Sequence, residues 1–206
     1  MRSDHQPSTN TTNAVQYKAD PSDITRALDT LRAGGIILYP TDTIWGIGCD
    51  ATNPGAVEKL YRLKGREHGK SLIVLLENEQ LLPGYVREVP DVAYQLIEYT
   101  ERPLTIVYSD GRNVAPNVLA EDGSLGIRIV SHPFCTPLLQ RFRKPLVSTS
   151  ANLSGHPAPN NFREIAPEIL EGVDYVVQYG QNDPGGSPPS IVMRLESGGR
   201  FSFLRK

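Results

Sequence analysis

Cysteine is scarce in this 206-residue chain: Cys49 and Cys135 are the only two, far apart and without C-x-x-C spacing. That count argues against both a disulfide framework and a structural zinc site. Long apolar runs are missing as well, and none approaches the roughly 20 residues of a transmembrane helix. The start, Met1 to Asn13, is polar and lacks the apolar segment of a signal peptide, so a soluble cytoplasmic protein without a membrane partner is expected. Charge of one sign is not in excess either: 21 Lys plus Arg against 23 Asp plus Glu give a net charge of -2. A strongly basic, electrostatically driven nucleic-acid binder is thereby disfavoured, although a local basic face is not. His5, His68, His132 and His156 show no metal-ligand spacing. No Ser-His-Asp or Cys-His arrangement is suggested, and the cysteines read as small buried residues.

What is present suits one α/β domain. The length allows a single core. Residues 1–16 are rich in Ser, Thr, Asn and Gln, which bury little, and read as a disordered polar tail preceding a domain over 17–206. Asp20-Pro21 opens a helix with Ile24, Ala27, Leu28 and Leu31 on one face, stopped by Gly34-Gly35. Asn53-Pro54 opens a second, with an Asn cap and Pro in the first turn. Strands are expected at 36–39, 72–76, 104–108, 125–130, 146–149, 175–177, 191–195 and 201–204, with further helices near 91–100, 134–143 and 162–170. The irregular alternation predicts a mixed α/β sheet and not a clean doubly wound one. Gly180 to Pro189 reads as a loop.

Four segments hold candidate chemistry. Gly65-Arg66-Glu67-His68-Gly69-Lys70-Ser71 looks like a phosphate-binding loop but has three residues between its glycines, not four. It also follows a helix and precedes a strand, the reverse of what places a helix N-terminus on phosphates, so that motif is rejected. Its charges remain: were the chain extended after the helix, Lys64 and Arg66 would point the same way as an anion clamp; otherwise they form a solvated basic turn. Ser148-Thr149-Ser150-Ala151-Asn152-Leu153-Ser154-Gly155 follows a strand and offers hydroxyl and amide groups to phosphate or carboxylate oxygens, or is a plain polar turn. Tyr39-Pro40-Thr41-Asp42-Thr43-Ile44-Trp45-Gly46-Ile47-Gly48 runs from a strand into a loop with hydroxyls, a carboxylate and the only Trp. Arg128, inside the strand Gly126-Ile127-Arg128-Ile129-Val130, either faces solvent on an edge strand or meets an anion in a site, because a buried unpaired charge is costly.

In this order, the Tyr39–Gly48 segment, the K-x-R of Lys64-Gly65-Arg66, Gly126-Ile127-Arg128 and the S-x-N of Ser150-Ala151-Asn152 resemble the YrdC/TsaC family of L-threonylcarbamoyladenylate synthases, over residues 20 to 206. The resemblance implies a twisted mixed sheet around a concave basic cavity. It implies conversion of L-threonine, bicarbonate and ATP to threonylcarbamoyl-AMP and pyrophosphate, for threonylcarbamoyladenosine modification of tRNA completed by a separate transfer enzyme. A transient contact with that machinery or with tRNA belongs to the same expectation. Carried over position by position, it assigns Thr41, Arg128, Ser150 and Ser190 to threonine. It assigns Lys64, Arg66, Lys70, Ser124, Asn152, Asn160 and Arg205 to ATP, with Lys64 and Arg66 as the catalytic cations. No residue is assigned to a metal; Mg²⁺ is expected on the ATP phosphates. Two positions depart from many relatives: Glu67 stands where proline often follows K-x-R, and Leu75 where some have histidine. The chain ends at Lys206, just past the last family strand, so the short, single-domain form is expected. The alternatives are carbamoyl adenylation on the same fold, and an RNA-binding module of that fold without ATP turnover.

Overall fold

The computed structural model describes residues 18–66, 72–196 and 198–206. The expected polar tail, Glu67 and Lys70 lie outside the described residues. Asp20 caps helix α1 (Pro21–Arg32) by accepting from the Ser22 N–H at 2.8 Å, with Pro21 in the first turn where no N–H is needed. Asn53 caps α2 (Pro54–Lys64) in the same way, accepting from Gly55 and Ala56. Shorter helices follow: α3 (Leu82–Tyr85), α4 (Asp91–Tyr99), α5 (Cys135–Phe142) and α6 (Pro167–Gly172).

Among the described residues nine strands build one mixed sheet: β1 (Ile37–Tyr39), β2 (Gly46–Gly48), β3 (Ile73–Leu76), β4 (Leu104–Tyr108), β5 (Leu125–Ile129), β6 (Leu146–Ser150), β7 (Tyr175–Val176), β8 (Ile191–Leu195) and β9 (Phe201–Arg205). Their spatial order is β7-β1-β2-β6-β3-β5-β4-β8-β9. The pairs β1/β7, β3/β5 and β4/β8 are parallel and the other five antiparallel. The α/β class and the mixed sheet are as the sequence predicts.

Two local expectations fail. Gly46–Gly48 is a strand, not part of a loop. A Cβ at Gly48 would lie 2.2 Å from the Val147 carbonyl oxygen and 2.9 Å from the Tyr39 ring, so glycine is what lets β1, β2 and β6 lie side by side with Tyr39 folded across them. The helix expected over 162–170 is a single 3₁₀ turn, Phe162–Glu164, followed by α6. Pro167 holds Ala166 extended (φ -61°, ψ 140°) and so breaks the run.

Alternation along the strands sorts the core. One sheet face carries Leu38, Ile47, Val74, Ile106, Ile127, Val147 and Met193 and is packed by α2, α4 and α6. On the other face Ile37, Tyr39, Leu75 and Leu146 are covered by α1 and α5. The rest of that second face, from Ile73 across Gly126, Arg128, Thr105 and Val107 to Val192, has no helix over it and forms the wall of a cavity.

Candidate active site

The cavity measures about 360 Å³. Strand parity supplies its floor, with Gly126 and Arg128 from β5, Thr105 and Val107 from β4, and Ile73 from β3. Around the rim stand the loop Thr41–Gly46, Arg66, the end of β6 at Ser148–Ser150, Ser190, and Leu204–Arg205 of the edge strand β9. Among the described residues the lining holds three arginines and no carboxylate.

Arg128 sits in β5, between β3 and β4, and is 3% exposed, so the edge-strand reading is wrong and the anion-pairing reading holds. Its Nη2 lies 3.2 Å from Asp42 Oδ1, and its Nη1 donates to Thr43 Oγ1 at 3.0 Å. Burial pushes the Asp42 carboxyl up in pKa, and the neighbouring Arg128 opposes that shift. The Asp42–Arg128 pair is therefore one unit, formed by a loop residue and a sheet residue 86 positions apart in the chain.

Thr41 lines the cavity, but its hydroxyl is engaged inside the loop. It donates to the Ile44 carbonyl at 2.8 Å and accepts from the Thr43 N–H at 3.1 Å. Thr41 and Thr43 Oγ1 are 2.9 Å apart, and because the one proton of Thr41 goes to Ile44, Thr43 is the donor in that pair. Trp45 is buried beside this loop, its ring centroid 4.9 Å from that of Phe162.

Lys64 and Arg66 do not form a parallel clamp, because Gly65 closes α2 in the left-handed conformation (φ 57°) and turns the chain between them. Arg66 lines the cavity, with Nη1 3.4 Å from Thr149 Oγ1. Lys64, 3% exposed, stands behind Ser150: its ammonium donates to the carbonyls of Ser150 (2.5 Å) and Asn152 (2.7 Å). Its own carbonyl accepts from the Ser154 N–H at 2.8 Å. The S-x-N loop is thus wrapped around Lys64. Burial first, and then Arg66, pull the Lys64 ammonium down to about 8.

Of the remaining expected site residues, Ser150, Ser190 and Arg205 line the cavity. Ser190 is buried; its hydroxyl is 2.9 Å from that of Thr105, and Arg205 donates to its carbonyl at 3.0 and 3.2 Å. Ser124, Asn152 and Asn160 stand outside the lining. Ser124 accepts from Arg194 at 3.0 Å. The Asn152 amide donates to the carbonyls of Leu153 and His156, bracing the turn. Asn160 gives both its backbone and side-chain N–H to Glu164, each at 2.9 Å. Lys70 lies outside the described residues. Thr105 lines the site without having been singled out. Its signal is a lone hydroxyl in the apolar run Leu104–Tyr108, recognisable only once the register places it opposite Arg128. Leu75 is fully buried, also opposite Arg128 in register, and belongs to the core under α1 and α5.

The donor set fits anions. Guanidinium groups and hydroxyls meet phosphate and carboxylate oxygens. Among the described residues the lining has no carboxylate, and no group of three His, Cys, Asp or Glu could hold a metal ion. Both cysteines are buried with their thiols pushed up in pKa by burial, which suits packing and not nucleophilic attack. Among the described residues no helix is long and apolar enough to cross a membrane.

Comparison with known proteins shows the family and the fold. The family model Sua5_yciO_yrdC, described as Telomere recombination, matches residues 29–206. The threonylcarbamoyl-AMP synthase of Stenotrophomonas maltophilia is 36% identical over 154 residues, covering 73% of this chain and 83% of that protein. That of Pseudoalteromonas translucida is 33% identical over 188 residues, covering 89% and 98%. Among solved structures, E. coli YciO superposes with a TM-score of 0.78 at 25% identity, covering 92% of both chains. P. abyssi Sua5 complexed with L-threonine superposes with a TM-score of 0.72 at 26% identity, covering 84% of this chain and 50% of that one.

Proposed function

Because the chain belongs to the Sua5/YciO/YrdC family, we propose that it is a threonylcarbamoyl-AMP synthase, a nucleotidyltransferase that uses ATP and L-threonine. The observation that carries this reading is a cavity ringed by Arg66, Arg128 and Arg205, with no carboxylate among the described residues of its lining, on a fold whose P. abyssi relative was solved with L-threonine. Every reacting species is an anion or becomes one, so positioning and charge neutralisation are the main tasks of such a site.

The threonine amine adds to bicarbonate and loses water, giving an N-carboxy group. An oxygen of that carboxylate attacks the ATP α-phosphorus, and the bond to the β-phosphate oxygen breaks, releasing pyrophosphate and leaving threonylcarbamoyl-AMP. No enzyme nucleophile takes part. We assign the threonine carboxylate to Arg128 and the ATP phosphates to Arg66 and Arg205, with Ser150 and Ser190 supplying hydroxyls. Lys64 holds the S-x-N loop that carries Ser150. A Mg²⁺ ion, if bound, would be held by the ATP phosphates, since no group of carboxylates or imidazoles among the described residues would hold it, and it would supply charge neutralisation there. The product serves tRNA modification by a separate transferase, and the cytoplasm is the compartment we assign, in keeping with two free thiols.

Pyrophosphate release, measured with and without L-threonine and bicarbonate, tests the proposal. Release that requires both is expected. Release indifferent to threonine would overturn the synthase reading, and release with carbamoyl phosphate in place of threonine and bicarbonate would point to carbamoyl adenylation instead.

A further inference from the structure

Thr43 is not among the residues the family resemblance assigns to substrate, yet it joins the loop to the floor of the cavity. Its hydroxyl oxygen accepts from Arg128 Nη1 at 3.0 Å and lies 2.9 Å from Thr41 Oγ1. Thr41 in turn donates to the Ile44 carbonyl at 2.8 Å. The carbonyl only accepts and the guanidinium only donates. The two ends therefore dictate the direction of every bond between them: Arg128 to Thr43, Thr43 to Thr41, Thr41 to Ile44. No hydroxyl in this chain is free to rotate without breaking a bond. Together with Asp42 on Nη2, Thr43 on Nη1 fixes the plane of the guanidinium.

We propose that Thr43 is the positioning residue that sets Arg128 for the amino-acid carboxylate, an inference that rests on the synthase reading. It acts through Arg128. A guanidinium grips a carboxylate well only when its plane is aligned with it, so small rotations lose a bidentate contact. Asp42 alone holds one end of the group and leaves it free to pivot about that contact. Thr43 supplies the second point, and its own orientation is inherited from the Thr41–Ile44 bond, so the loop conformation is read out at Arg128. The consequence is selective: threonine affinity depends on Thr43, while the nucleotide cations Arg66 and Arg205 receive no bond from it.

Thr43→Val keeps the shape and removes the hydroxyl, and Thr43→Ser keeps the hydroxyl and removes the methyl. The expected result is a rise of about tenfold in KM for L-threonine in Thr43→Val, equivalent to about 1.4 kcal/mol. ATP KM should stay within about twofold, and Thr43→Ser should fall within about threefold of the parent. Calorimetric titration of L-threonine without ATP should show the same loss for Thr43→Val. If Thr43→Val does not fold, Thr43→Ala makes the same test without the second branch. An unchanged threonine KM, an equal rise in both KM values, or no rescue by serine would overturn the positioning role. Threonine-independent pyrophosphate release by the parent chain would overturn the synthase reading itself, a separate outcome visible before any variant is made.

Discussion

Lys64 and Arg66 lie two residues apart yet do different work, and the difference can be measured. Arg66 borders the cavity, so Arg66→Ala should raise ATP KM by about tenfold or more while moving the unfolding midpoint by only about 2 °C. A midpoint drop of ten degrees with an unchanged ATP KM would reverse that assignment. Lys64 is a buried cation whose protons serve two loop carbonyls, so Lys64→Met should lose stability as well as turnover. Its pKa also gives a signed pH effect. In the folded chain it is held near 8, below the ordinary 10.5. Between those values the unfolded chain still binds the proton that the folded chain has released, so this group adds stability as pH rises from about 8 to 10.5. The raised thiols of Cys49 and Cys135 and the raised phenol of Tyr39 act in the opposite sense, because they stay protonated in the fold after the unfolded chain has lost its protons. The stability of the parent minus that of Lys64→Met isolates the lysine. That difference, from urea titrations at pH 7.5 and 9.5, should grow with pH, and a flat difference would contradict the lowered pKa.

At the scale of elements, what the sequence made legible follows local chemistry, and what it hid follows long-range register. The caps at Asp20 and Asn53 announce α1 and α2, and the apolar runs at 104–108 and 191–195 are strands over those residues. β2 is hidden because Gly-Ile-Gly has a single strand-forming residue, and glycine is ordinarily depleted in strands. Its justification lies in Tyr39 and Val147, one from each neighbouring strand. Gly48→Ala should therefore cost about 3 kcal/mol or more in urea unfolding, since the new methyl meets backbone that cannot move aside. A loss below about 1 kcal/mol would show that β2 and β6 separate easily. The site divides along the same line. Thr41, Arg66, Arg128 and Ser150 belong to local motifs, Ser190 and Arg205 come only from the family resemblance, and all six border one cavity. The direction of Lys64, the pairing of Arg128 with Asp42 and the place of Thr105 depend on the αL turn at Gly65 and on strands far apart in sequence.

Across the whole molecule, charge is nearly balanced but unevenly placed. The net charge is -2, yet among the described residues the cavity lining carries three arginines and no carboxylate. Such a field is local: it falls off over the screening length, about 10 Å at 0.1 M salt, and the chain as a whole carries no excess of positive charge. A polyanion small enough to enter, such as ATP, should feel it fully. A long one such as tRNA should feel mainly the weakly negative exterior. L-threonine is a zwitterion with no net charge, so capture at Arg128 as proposed above should depend on short-range pairing and little on the long-range field. Three measurements on one preparation follow from this. Raising ionic strength from 0.05 to 0.5 M should increase ATP KM by about five- to tenfold. The same change should leave threonine KM within about twofold, because a paired, desolvated contact is screened far less. Bulk tRNA at 0.15 M salt should shift ATP KM by less than about twofold, since nucleic-acid affinity without a basic face is weak. Equal salt sensitivity of both substrates would mean that Arg128 lies open to solvent during turnover, against its burial beside Asp42 and Thr43. Strong competition by tRNA would mean that a basic face reaches beyond the cavity, and would return weight to RNA binding as a second use of the same fold.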